Sequence, residues 1–158
     1  MRWLLTVSDK LLLWLATVCF AGFLICVSLQ VFFRYMLEQP LPWSEEVAVY
    51  LFIWSSFLAA AVLVGRNEHF VIPVFVDRLP ARAQWLLEIM TLLLCLGFCT
   101  IIVLRGSAWS YRMLPFFTSI LQISQGAMYA VLPFSGLYMI LHLVMRLTEI
   151  LRQPAKER

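Results

Sequence analysis

The chain has 158 residues, 63% hydrophobic and 13% charged, with a formal net charge of +3 and a mean hydropathy of +0.88. A soluble domain of this length could not enclose so much apolar surface, so the surrounding medium is lipid and a water-soluble globular fold is excluded. The small positive balance comes from an uneven placement of a few basic residues along the chain, not from a basic patch, which excludes nucleic-acid binding.

Met1–Lys10 mixes Trp3, Leu4, Leu5 and Val7 with Arg2, Asp9 and Lys10, and reads as a short interfacial segment leading into the first helix. Four charge-free runs follow: Leu11–Phe33 (23 residues), Val47–Gly65 (19), Ile89–Leu104 (16) and Met113–Met145 (33). A helix rises about 1.5 Å per residue and a bilayer core is about 30 Å thick, so about 20 residues span it. The first two runs fit directly. The third extends back over Trp85–Leu87, leaving Glu88 near the headgroups. The fourth would be about 50 Å long as one helix. Pro115, Gln122, Ser124, Gln125 and Gly126 break its first third, which leaves Ala127–Met145. The expected fold is therefore an all-α integral membrane protein. It forms a single membrane domain over residues 1–158, with four spans near 11–33, 47–65, 86–104 and 127–145 and short interfacial amphipathic helices.

The first apolar run exceeds that of a signal peptide, and no small-x-small cleavage site precedes a soluble domain, so the first span is expected to remain. Arg2, Lys10, Arg66, Arg78, Arg82, Arg146, Arg152, Lys156 and Arg158 fall on one side of this topology, and Arg34, Arg105 and Arg112 on the other. That bias predicts cytoplasmic N- and C-termini in a multi-pass membrane protein.

The outer loop Arg34–Ser44 is short, and Pro40 and Pro42 forbid helix continuity across it. The inner loop Arg66–Glu88 holds His69 and a seven-residue apolar run, Phe70–Val76, interrupted by Pro73. That run is too short to span and is expected along the membrane surface or beneath a neighbouring protein. Asp77-Arg78-Leu79-Pro80 then reads as a helix start, with Leu79, Ala83, Leu86 and Met90 at helical spacing. Met113–Gly126 is apolar yet broken, consistent with re-entrant or surface-lying structure whose backbone is covered by protein.

Chemistry-bearing groups are few. Trp43-Ser44-Glu45-Glu46 opens the second span, where Ser44 is expected to cap the helix and the carboxylates meet its positive end, worth about 0.3–1 kcal/mol each. Adjacent acids diverge by roughly 100° around a helix, so one of them must face something else: Arg34 within the chain, or a partner's basic group. Ser56-x-x-x-Ala60 and Ala61-x-x-x-Gly65 supply small residues at the spacing that lets helices approach closely in lipid. Cys19, Cys26, Cys95 and Cys99 lie within spans, where disulfides do not form, and read as small apolar filler. No metal site is expected. His69 and His142 both lie toward the cytoplasmic side, and His142 reads as a packed or interfacial imidazole. No phosphate-binding loop, dinucleotide fingerprint, zinc-protease motif or nucleophile elbow is present, so an enzyme is not expected. Every Asp and Glu sits at or beyond a span end, which argues against an ion- or proton-coupled pathway through this chain. Two other readings remain open on residues alone: a small homo-oligomeric transporter, and a haem- or quinone-binding membrane subunit.

Phe33-Arg34-Tyr35 at the end of span one, Trp43-Ser44-Glu45-Glu46 with Tyr50-Leu51-Phe52-Ile53-Trp54 in span two, Arg66, His69, Val71 and Asp77-Arg78-Leu79-Pro80 after it, and Leu121–Tyr129 leading to Leu132-Pro133 occur in a distinctive order. In this the chain resembles the small membrane subunit of TRAP (tripartite ATP-independent periplasmic) transporters. Ala59-Ala60-Ala61 stands where that family commonly has a glycine, and Gln122 and Ser124 replace parts of its usual Gly-Ile-Pro run. The resemblance implies a division of labour. A soluble periplasmic protein captures a small organic acid, a large membrane subunit holds the substrate and sodium sites and moves, and the small subunit braces it and helps form the docking surface. It implies membrane lipid, the large subunit and the binding protein as partners, and no cofactor. Arg34, Trp43, Glu45, Glu46, Arg105 and Arg112 are the candidate periplasmic contacts. Ser56, Ala60, Ala61, Gly65, Arg66, His69, Tyr129 and Pro133 are the candidate packing contacts, within the chain or against the large subunit.

Overall fold

The computed structural model describes residues 2–65 and 81–152. Arg66, His69, the apolar run Phe70–Val76 and the helix start at Asp77–Pro80 lie outside the described residues. Five helices are described: α1 (Arg2–Met36), α2 (Pro42–Gly65), α3 (Ala81–Met113), α4 (Gln125–Tyr129) and α5 (Val131–Arg152). The four expected spans fall in α1, in α2, in α3, and in α4 with α5, each long and apolar enough to cross a membrane.

Two local expectations are corrected. Residues 2–10 are not a segment separate from the first helix but the first part of a continuous 35-residue α1. No proline or glycine interrupts the helix there, and Asp9 finds partners on α5. Nor does Ser44 cap α2. The helix already opens at Pro42, whose fixed φ and missing N–H suit a first helical position. Ser44 sits inside the first turn, fully buried, and its hydroxyl donates back to the Leu41 carbonyl at 2.7 Å. Between the two helices, Glu38 adopts φ 54° and the Gln39 N–H returns to the Phe33 carbonyl at 3.2 Å, which closes α1. Near the start of the last span, Pro133 cannot donate to the carbonyl four residues back, Tyr129, and its ring crowds it. The helix is accordingly interrupted at Ala130, separating α4 from α5.

Packing runs α1 on α2, α2 on α5 and α5 on α3, so the spans form a row with α1 and α3 at opposite edges and without substantial mutual contact. Two apolar clusters hold the row together. Leu12, Ala16, Leu58, Val62 and Val131 join α1, α2 and α5. Ala61, Leu92, Cys99, Met139, Leu143 and Ile150 join α2, α3 and α5. In lipid such contacts rest on close packing more than on expulsion of water, and small residues set the approach. A Cβ on Gly136 would stand 2.7 Å from Val103 Cγ2 and 3.5 Å from the Cys99 carbonyl oxygen, so α5 and α3 come close enough here that any larger residue would displace the Val103 side chain. Ala60 and Ala61 likewise pack inward, Ala61 being 1% exposed.

Candidate functional site

At the end of the bundle where α2 begins and α3 finishes, residues 114–124 form a tight hairpin closed by an antiparallel bridge between Phe117 and Ser124. The Thr118 N–H donates to the Ile123 carbonyl at 2.9 Å and the Gln125 N–H to the Phe116 carbonyl at 2.8 Å, while Gln122 turns the chain at φ 54°. Ser110 on α3 donates to the Gly126 carbonyl at 2.7 Å, fixing α4 beneath the hairpin. The hairpin tip is held by Glu46, whose two carboxylate oxygens accept the Ile120 N–H at 3.1 Å and the Leu121 N–H at 3.0 Å. These donors, Leu121 foremost, hold the Glu46 carboxyl below the usual carboxylate range, because a hydrogen-bonded carboxylate favours its ionised form. The broken apolar segment is thus a hairpin whose backbone is satisfied largely from within the chain.

Glu46 therefore has an internal role, and its neighbour does not. Glu45 is exposed and makes no ion pair among the described residues. It stands beside a hollow of about 480 Å³ whose wall includes Tyr50, Thr118, Gln125 and Tyr129. The Tyr50 hydroxyl is buried with no hydrogen-bond partner among the described residues. Arg34, the candidate within the chain for one of the two acids, instead lies over the ring of its neighbour Tyr35, 6.0 Å from its centroid.

The opposite end carries a polar cluster that the sequence reading missed. The Tyr138 hydroxyl donates to Asp9 Oδ1 at 2.7 Å, and His142 Nε2 lies 3.4 Å from the same oxygen, the side chains being 10% and 15% exposed for His142 and Asp9. Tyr138 and His142 are stacked at 4.8 Å. A Cβ on Gly65 would meet the imidazole at 2.9 Å, so the missing side chain of Gly65 admits the ring. Beside this cluster Arg146 donates to Glu88 at 2.7 Å, joining α5 to α3. The available signal was a tyrosine and a histidine four apart in an apolar run, on one helix face, with Asp9 just before another.

The remaining expected residues fall as follows. Ser56 is exposed, within a groove of about 360 Å³ between α1 and α2 that also includes Thr17 and Ala59. Trp43 is exposed at the start of α2. Arg105 and Arg112 are exposed on the last turns of α3. Tyr129 is half-buried, edge-on to Trp109 with ring centroids 6.5 Å apart. Pro133 sits against Gly106 of α3, whose added Cβ would lie 3.6 Å from its Cδ. The structure brings Glu45, Glu46 and Tyr129 to one hollow, and places Ala60, Ala61 and Gly65 in internal packing.

Residues 23–153 match the family model described as tripartite ATP-independent periplasmic transporters, DctQ component. A putative TRAP transporter small permease protein of Haemophilus influenzae is 32% identical over 124 residues, covering 78% of this chain and 76% of that one. The sialic acid TRAP transporter small permease protein SiaQ of Vibrio cholerae is 30% identical over 120 residues, covering 76% and 69%. The sialic acid TRAP transporter permease protein SiaT of Haemophilus influenzae is 30% identical over 76 residues, 48% of this chain but only 12% of that longer one.

Proposed function

Because the chain belongs to the family of DctQ components, the small permeases of TRAP transporters, we propose that it is the static small subunit of such a transporter. In this role it braces a large permease subunit and helps dock a periplasmic substrate-binding protein. The whole system imports a small organic acid driven by an ion gradient, with sodium as the coupling ion and both termini of this chain in the cytoplasm.

The observation that carries this reading is the placement of charge. Asp9, Lys10, Glu88, Arg146 and Glu149 gather at one end of the row, and Arg34, Glu38, Glu45, Glu46, Arg105 and Arg112 at the other. Among the described residues no Asp, Glu, Lys or Arg lies between them, and the polar groups of the interior are few: the buried hydroxyls of Ser55 and Ser135 and the Tyr138 and His142 side chains that meet Asp9. A conduit for an ion or an acid needs polar groups at mid-membrane, whereas a brace needs a rigid interior and specific surfaces. Two such surfaces are offered. The groove holding Ser56 and Thr17 faces outward at the α1–α2 edge, where a helix of the large subunit could approach closely and satisfy the Ser56 hydroxyl. The hollow bordered by Glu45, with Arg34 and Trp43 at the same end, suits docking of a soluble partner.

Two substitutions separate the roles. Ser56→Leu fills the groove and is expected to lower recovery of the large subunit with this chain. Glu45→Lys is expected to leave that recovery unchanged while weakening docking of the binding protein. Normal assembly and uptake in both variants would overturn the assignment.

A further inference from the structure

The apolar run in α3 ends at Leu104, yet the helix continues without a break to Met113. Around a helix successive side chains turn by about 100°, so Arg105 and Arg112, seven apart, lie within about 20° of each other on one face. Both are exposed, and among the described residues neither guanidinium has an ion-pair or hydrogen-bond partner. Trp109 lies between them in sequence and near the same face, 50% exposed, with its indole steadied edge-on by Tyr129. Below them the same face continues as Leu94, Phe98 and Ile101, all at least 60% exposed. Beside them the hairpin turns Phe116 and Phe117 outward. The face therefore passes from bare hydrocarbon, through an indole, to two unneutralised guanidinium groups. In a bilayer that is the order of acyl chain, interface and phosphate. The α3 edge also lies apart from the groove beside α1, since α1 and α3 are at opposite edges of the row.

We propose that Arg105, Trp109 and Arg112 form a binding stripe for anionic phospholipid, with the lipid phosphate on the two guanidinium groups and an acyl chain along Leu94, Phe98 and Ile101. Charge complementarity selects the occupant. Arginine presents a planar set of donors matched to phosphate oxygens, and a lipid supplies that phosphate already attached to the chains this face requires. The stripe fixes the depth and tilt of α3, and through it the hairpin that Glu46 secures.

The test is native mass spectrometry of the full-length chain, extracted from vesicles of phosphatidylcholine containing a minor fraction of phosphatidylglycerol. Each basic side chain near an anionic lipid contributes about fivefold in affinity, so the pair predicts about a twenty-five-fold preference for phosphatidylglycerol. Arg105→Gln with Arg112→Gln is expected to abolish that preference. The double lysine variant, R105K with R112K, retains the charge and is expected to keep most of it, which separates loss of charge from loss of fold. Equal phosphatidylglycerol retention by the wild type and the double glutamine variant would overturn the proposal. So would a double glutamine variant that keeps its lipid but no longer recovers the large subunit or the binding protein, because the stripe would then be a protein interface.

Discussion

Gly126 and Gly97 provide opposed outcomes for one chemical change. A Cβ on Gly126 would lie 2.7 Å from the Ser110 carbonyl oxygen and 2.8 Å from Leu114 Cα. Both are backbone atoms, so no side-chain rotation relieves the overlap. Helix α4 would have to move off the end of α3, stretching the Ser110–Gly126 hydrogen bond that now measures 2.7 Å. Overpacking of this kind costs about 1–3 kcal/mol, and a weakened hydrogen bond adds up to about 1 kcal/mol. Alanine recovers about 0.5–1 kcal/mol over glycine in a helix, which leaves a net loss of about 1–3 kcal/mol. For a chain of this size that lowers Tm by about 2–12 °C. Beyond its chain neighbours and the backbone of its own helical turns, Gly97 has no heavy atom within 4 Å of the corresponding position, so Gly97→Ala keeps only the helix term and should raise Tm by about 1–4 °C. Thermal unfolding of the two purified variants in the same detergent measures both shifts. Shifts of the same sign, or a Gly126→Ala protein that melts with the wild type, would refute the packing described for α3 and α4.

Tyr138→Phe removes the 2.7 Å bond to Asp9 and takes a hydrogen-bond donor away from that half-buried carboxylate. The expected loss is about 1–2 kcal/mol, within the range for hydrogen bonds to charged groups and for polar contacts between membrane helices. In Asp9→Asn/Tyr138→Phe double-mutant cycles the two changes should be non-additive, whereas additive effects would mean the pair is not coupled. Glu46→Gln should speed amide hydrogen exchange at Ile120 and Leu121 without altering helix content, and unchanged exchange would show that the carboxylate does not hold the hairpin. The pH dependence follows from the lowered Glu46 carboxyl. Its contribution is complete above the ordinary glutamate value of about 4.3 and is lost as pH falls through its own lower value. Exchange at those two amides, corrected for intrinsic rates, should therefore accelerate only below about pH 4 in the wild type and show no such step in the Gln variant.

The helices were readable because lipid imposes a length on apolar runs, and the runs ending at Phe33 and Gly65 lie wholly within α1 and α2. Helix ends were less readable. Nothing in Met1–Lys10 shows that Asp9 will accept a hydrogen bond from Tyr138 and lie beside His142, more than a hundred residues away, so its charge reads as a boundary. Ser44 has the chemistry of a cap, but Pro42 starts the helix first. The paired acids were recognised as needing two different explanations, and the structure supplies one of them: Glu46 binds backbone N–H groups of a hairpin. Backbone donors have no signature in sequence, so that partner could not be named in advance. The small residues of span two were legible as a packing device, yet spacing alone did not tell which faced inward. Ala60, Ala61 and Gly65 pack within the chain, and Ser56 is left outside.

The central claim is that this chain braces a transporter whose substrate path lies in another subunit. The direct test is solute uptake into liposomes by the reconstituted large subunit and binding protein, with and without this chain, together with liposomes holding this chain alone. Uptake is expected only when all three components are present, and none by this chain by itself. Full uptake without the chain, or uptake by the chain alone, would contradict it.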